Sequence, residues 1–281
     1  MPTLLYEQYV RRKRKFVRLL LCCNTGEEGI HAIRLEAKKI FALLRFMQEI
    51  LPQKNIVLKK LKPVFHKAGE IREEQLFIQW LQQHDLLLLA DFFIKKQNQQ
   101  AAIQAFKKKL KSLIKIFEHQ SSPGKKDFKE ANQSIASQQY LMGWLFNKAM
   151  VLVKEKEDTE YWHKLRKTIK QILYAQAWLP AQQQLSNSLT NSLNNLQESI
   201  GKWHDALLIY NRLLQYPIYL SANDLLRNEY KTALGKLRNI IAYRERKVKA
   251  LFSNHLVKNL YKYFGHHTPG TSATIGFNSS Q

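Results

Sequence analysis

Acidic residues are scarce: 22 Asp and Glu stand against 45 Lys and Arg in 281 residues, a formal charge of +23. That imbalance imposes self-repulsion on the compact chain and attraction to polyanions. Cysteine is nearly absent too. Cys22 and Cys23 are adjacent, and chain neighbours rarely reach relaxed disulfide geometry. A disulfide framework and a Cys/His zinc spacing are both excluded, which points to a reducing, cytoplasmic setting. Ten glycines and seven prolines are too few for a loop-rich chain. No apolar run is long enough to span a bilayer; "FVRLLLCC" is short and carries Arg18. It follows "RRKRK" without a small-residue cleavage site, so a signal peptide is not expected. An organelle transit peptide is the competing reading, since residues 1–24 hold a single acid, Glu7.

What is abundant is Leu, Lys, Gln and Ala, and 45% of the chain is hydrophobic, enough for a sizeable core. Apolar periodicity predicts helices near 4–22, 28–51, 54–83, 86–118, 128–155, 159–180, 185–215 and 221–263, some of them broken. No sustained alternation backed by β-branched residues occurs, so no strand is expected. The fold class is all-α.

Sliding the chain against itself by 132 residues exposes a repeat. His31, Arg34 and Lys38 fall on His163, Arg166 and Lys170, and "LKPVFHKAGEIREE" falls on "LNNLQESIGKWHDA". Gly69 meets Gly201, Arg72 meets His204, and Glu73 meets Asp205. The expected organisation is a domain over 1–264 built from two four-helix units, about 4–120 and 127–263. The loop signal "SSPGKKD" at 121–127 lies between them. The tail 265–281 has no apolar period and is expected to be disordered.

At roughly 100° per residue, Arg34, Lys38 and Arg45 fall within about 60° of His31 around one helix. Ile33, Ile40, Leu43, Leu44 and Met47 lie opposite. In the second copy His163, Arg166, Lys167, Lys170 and Tyr174 share a face, opposite Leu165, Ile169, Ile172 and Leu179. A solvated face interleaves acids with its bases, whereas like charges at i,i+4 cost a few tenths of a kcal/mol per pair. A costly cationic stripe that recurs at a fixed offset points to an anion site. Both histidines sit near helix starts, with Asp158 or Thr159 as N-cap for the second, where backbone N–H groups already favour phosphate. The repeated glycines are read as permitting close helix approach, and Glu73 and Asp205 as orienting a basic residue of the stripe. Arg72 and His204 suit either a structural or a ligand-facing role.

H-x-x-R-x-x-x-K in both halves, the extension through Lys167, Lys170 and Tyr174, and the downstream "GKWHDA" together resemble the CHAD domain, the conserved-histidine α-helical domain. The resemblance covers nearly the whole chain apart from the tail. It implies two four-helix halves about a pseudo-two-fold axis, forming one helical body with a basic central groove or pore. It also implies binding of inorganic polyphosphate, with cytoplasmic or polyphosphate-granule location. On that reading His31, Arg34, Lys38 and Arg45 face His163, Arg166, Lys167 and Lys170, with Lys39, Tyr174, Arg72 and His204 contributing. Where the family commonly carries further arginines this chain has Ala42, Gln171 and Leu173, and no E-x-E-x-K signature of the triphosphate-tunnel partner domain occurs.

Catalysis needs a nucleophile, an acid–base pair or a held metal. The chain has no G-x-S-x-G, P-loop or H-E-x-x-H, so no enzyme, cofactor or metal is expected; a phosphoanhydride-processing activity is the residual enzymatic reading. Nucleic-acid binding is the main alternative, since any phosphate backbone attracts such a charge. Base-tolerant binders add aromatic platforms, however, and the stripes hold only Tyr174. A scaffold docking an acidic protein is the third reading.

Overall fold

The computed structural model describes residues 4–22, 27–50, 56–96, 103–108, 114, 142–145, 147–149, 159–178, 181, 184–216, 218, 223–252 and 254–265. The described elements are helical: α1 (Leu4–Leu21), α2 (Glu27–Ile50), α3 (Ile56–Gln83), α4 (Leu87–Lys96), α5 (Thr159–Ala175), a 3₁₀ turn (Gln176–Trp178), α6 (Asn187–Leu214), α7 (Asp224–Leu251) and α8 (Asn254–Gly265). Ser186 and Asn223 cap α6 and α7, accepting from Leu189 N and Leu226 N and so satisfying orphan donors of the first turn. Between α3 and α4 the chain turns through Asp85, whose φ of 58° lets Leu86 N donate to Leu81 O. This left-handed helix stop more often uses glycine.

Two expected helices end early. The one expected over 159–180 stops at Ala175 in the 3₁₀ turn, and the one over 221–263 divides into α7 and α8. Phe252 leaves the helical region at φ −83°, ψ 69° and turns its ring against Trp162, 5.5 Å between centroids. The expected helix over 128–155, the 121–127 loop and the tail beyond Gly265 lie largely or wholly outside the described residues.

Helices adjacent in sequence pack as neighbours, α1 on α2, α2 on α3, α3 on α4, and likewise α5 on α6 and α6 on α7. Across the chain α2 meets α5 and α4 meets α7. The apolar faces fill two cores. One gathers α1, α2, α5, α8 and the first halves of α3 and α6, with Phe16, Ile40, Leu61, Ile169 and Leu193 fully buried. The other gathers α4, α7 and the second halves of α3 and α6, around Phe77, Phe93, Leu213 and Leu237. Each such side chain is worth about 1.5–3 kcal/mol out of water. The long helices α3 and α6 therefore run through both cores, and the α2–α5 contact is where the motif helices meet.

Candidate anion-binding site

On α2 the expected split holds: Ile33, Ile40, Leu43 and Leu44 are buried, as are Leu165, Ile169 and Ile172 on α5. The side chain of Met47, and Leu179, fall outside what is described. With those faces in the core, the cationic stripes turn to a cavity of about 430 Å³. Arg34, Lys38 and Arg45 enter it from α2, and His163, Arg166, Lys167, Lys170 and Tyr174 from α5. Helix α3 adds Lys62, Phe65 and His66. In all, seven lysines and arginines and two histidines line it, with no carboxylate among the described residues.

The arginines form its floor by a device present in both halves. Arg34 Nη1 donates to Phe65 O at 3.2 Å, and Arg166 Nε donates to Gln197 O at 3.4 Å. The two acceptors stand 132 positions apart, as the two donors do. Each guanidinium lies over a glycine. A Cβ at Gly201 would fall 2.9 Å from Arg166 Nη2, and one at Gly69 would overlap Arg34 Nη1. The repeated glycines are thus seats for the motif arginines, where the sequence suggested close approach of helices. Arg34 also covers the face of Phe65, 4.8 Å from its centroid, while Phe41 meets that ring edge-on. Phe65 is not an open stacking platform.

Burying these cations, and then crowding like charges around them, has a cost that shows in their acidity. Burial, then the nearby charges of Lys170, Arg34 and Arg166, lowers Lys38 to about 7. Burial and then Arg166 lower Lys170 to about 8, with Asp205 pulling the other way. His163 is lowered by burial, then by Lys167; its ring stacks on His204 at 4.8 Å, and its buried Nδ1 has no hydrogen-bond partner among the described residues. Burial raises Glu73, with Arg34 opposing. An anion in this cavity would offset the repulsion among Arg34, Lys38, Lys170 and His163.

His31 is placed differently. It lines a second cavity of about 580 Å³ between α2, α5 and α6, which shares Arg166, Lys170 and Tyr174 with the first and also contains Asp205. Leu173 borders this second cavity, while Ala42 and Gln171 border the first. Arg72 and His204 line neither: Arg72 sits in the field of His31 and Arg34, and His204 backs His163. Lys39 is turned away, about 80° round the helix from His31 at 100° per residue. It pairs at 3.5 Å with Glu36, a carboxylate only 1% exposed that also holds Arg12 and Lys15 at 3.3 and 3.2 Å. Burial would raise Glu36, but these three cations hold it below its usual range. Sequence reasoning missed Lys62 and His66. Their i,i+4 spacing in register with Gly69 was the available signal, hidden because Asn194 and Glu198 replace them in the other half.

The CHAD domain profile matches residues 15–214, and the chain belongs to that family. Two solved structures share its fold. The CHAD domain from the plant Ricinus communis is 12% identical with a TM-score of 0.56, covering 93% of this chain and 88% of that one. PptA from Streptomyces chartreusis is 12% identical with a TM-score of 0.61, covering 90% of this chain and 99% of that one. No curated protein matches at the sequence level.

Proposed function

We propose that this protein binds inorganic polyphosphate without transforming it, holding the chain between the cationic faces of α2 and α5. One observation carries the reading: a cavity ringed by Arg, Lys and His, free of carboxylates among the described residues, in which two lysines are driven down to about 7 and about 8. Burial and, after it, like-charge repulsion of this kind are unfavourable unless a multivalent anion sits there. A phosphate chain offers charge at every unit and needs no base-reading groups; nucleic acid would call for open aromatic faces, and Phe65 is capped by Arg34. Membership of the CHAD family supports the same ligand class. The described helices include none long and apolar enough to cross a membrane.

The test is competition at near-physiological salt. Labelled long-chain polyphosphate is displaced by unlabelled polyphosphate, tRNA or single-stranded DNA at matched phosphate concentration. Polyphosphate alone should displace it efficiently; equal competition by RNA would transfer the function to nucleic acid. Lys38→Met with Lys170→Met should weaken binding on the order of a hundredfold or more, at about 1.5–3 kcal/mol per charged hydrogen bond. The lysines are the informative choice because Arg34 and Arg166 also bond the backbones of α3 and α6. Removing the lysines relieves repulsion, so the melting temperature should hold or rise. A variant that binds as tightly as the parent would refute the assignment.

A further inference from the structure

The two cavities are counterparts. Moving the first by 132 residues in either direction carries Arg34, Lys38 and Phe65 onto Arg166, Lys170 and Gln197, and His163 onto His31, all of which border the second. Yet their chemistry differs at the matching places. Lys62 and His66 of the first become Asn194 and Glu198 of the second, and Lys167 becomes Leu35. Asp205 adds a second carboxylate beside Gly201, and Gln176 and Gln197 add neutral amides. Arg166, Lys170 and Tyr174 line both cavities, the first with charged side chains of one sign only and the second with both signs.

A pair of carboxylates repels phosphate oxygens at contact range and offsets the charge of Arg166, Lys170 and Lys202 around them. Resting on the ligand read above, we infer that polyphosphate fills only the α2–α3–α5 cavity and halts at the Arg166–Lys170–Tyr174 wall, so that each molecule grips a short or terminal stretch of the chain rather than threading it through. The second cavity is a stop, built by replacing Lys62 and His66 with an amide and a carboxylate.

Chain length and lysine footprinting test this on the full protein. Affinity for tripolyphosphate, short-chain and long-chain polyphosphate is measured, and lysines are acetylated with and without long-chain ligand and read by mass spectrometry. Lys62 and Lys167 should be protected several-fold, while Lys202, exposed at the second cavity, stays reactive. Affinity per chain end should level off once short chains fill the first cavity. Asn194→Lys with Glu198→His, both on the solvent side of α6, copies the first half's pair into the second. It should raise long-chain affinity about tenfold over the parent, leave tripolyphosphate unchanged and bring Lys202 under protection. Protection of Lys202 in the parent, or a gain in the variant equal for tripolyphosphate and long chains, would overturn the stop. Loss of all polyphosphate binding by the parent would instead overturn the ligand assignment itself.

Discussion

Lys38 and Lys170 tie the site to proton concentration. A lysine ordinarily titrates near 10.5, so in the folded, empty protein these two shed protons that the unfolded chain still carries. Between about 7 and 10.5 the unfolded state binds more protons, and stability of the empty protein should rise with pH across that window. The histidines act in the same sense at lower pH: His31, His163 and His204 are each lowered, first by burial and then by neighbouring charge, Arg72 for His31 and Lys167 for His163, though Asp205 opposes the shift at His204. Arg34, Lys38, Arg166 and Lys167 press on this group from α2 and α5, with Arg72 adding from α3; Glu73, Glu198 and Asp205 oppose from α3 and α6. A bound polyanion favours the charged lysines, so binding should take up protons and weaken as pH rises through about 7 and about 8. Calorimetric titration in buffers of different ionisation enthalpy reads that uptake directly. Pure release of counterions with no proton uptake would mean that neither lysine meets the ligand.

At the scale of the helix, α3 and α6 each give up a side chain at one position so that an arginine can lie there. Glycine within a helix costs about 1 kcal/mol against alanine. Gly69→Ala with Gly201→Ala should return that propensity while lifting Arg34 and Arg166 from their seats, whose nearest atoms are flexible guanidinium ends. The expected outcome is a melting temperature no lower than the parent's, with polyphosphate affinity down about tenfold; unchanged affinity would show the seats to be incidental. The stripes on α2 and α5 were legible in the sequence because helical period and a fixed offset place His31, Arg34, Lys38 and their counterparts without tertiary information. The seats were not, because a glycine in a helix looks the same whether a backbone or a guanidinium approaches it. Lys39, expected to contribute where the family's further arginines are missing, pairs instead with Glu36 three residues before it, a tertiary and local pairing that the stripe pattern does not reveal. Where the 221–263 segment divides, at Phe252, was not legible, since the ring's partners Tyr161 and Trp162 are distant in the chain.

Over the whole molecule, neither half owns a core. Each cluster takes helices from both, and ties cross between them: Glu229 on α7 accepts from Leu88 N and Leu89 N at the start of α4, and Arg212 on α6 pairs with Glu74 on α3 at 2.8 Å. Unfolding should therefore be a single transition with matching calorimetric and van't Hoff enthalpies. Residues 1–126 made alone should show helical signal but no cooperative melt; a sharp melt of that piece would mean that the units are autonomous. The seated arginines also set an order of events in time. A guanidinium seated over glycine and bonded to a carbonyl is already oriented before an anion arrives, whereas Arg45, Lys62, His66 and Lys167 are exposed residues lining the cavity. On the proposed function, capture would begin on these exposed side chains, drawn by the long-range field, and finish on arginines already held in orientation. Encounter should be fast and strongly damped by salt, and departure slow, because the last contacts to break are the ones that never had to be ordered.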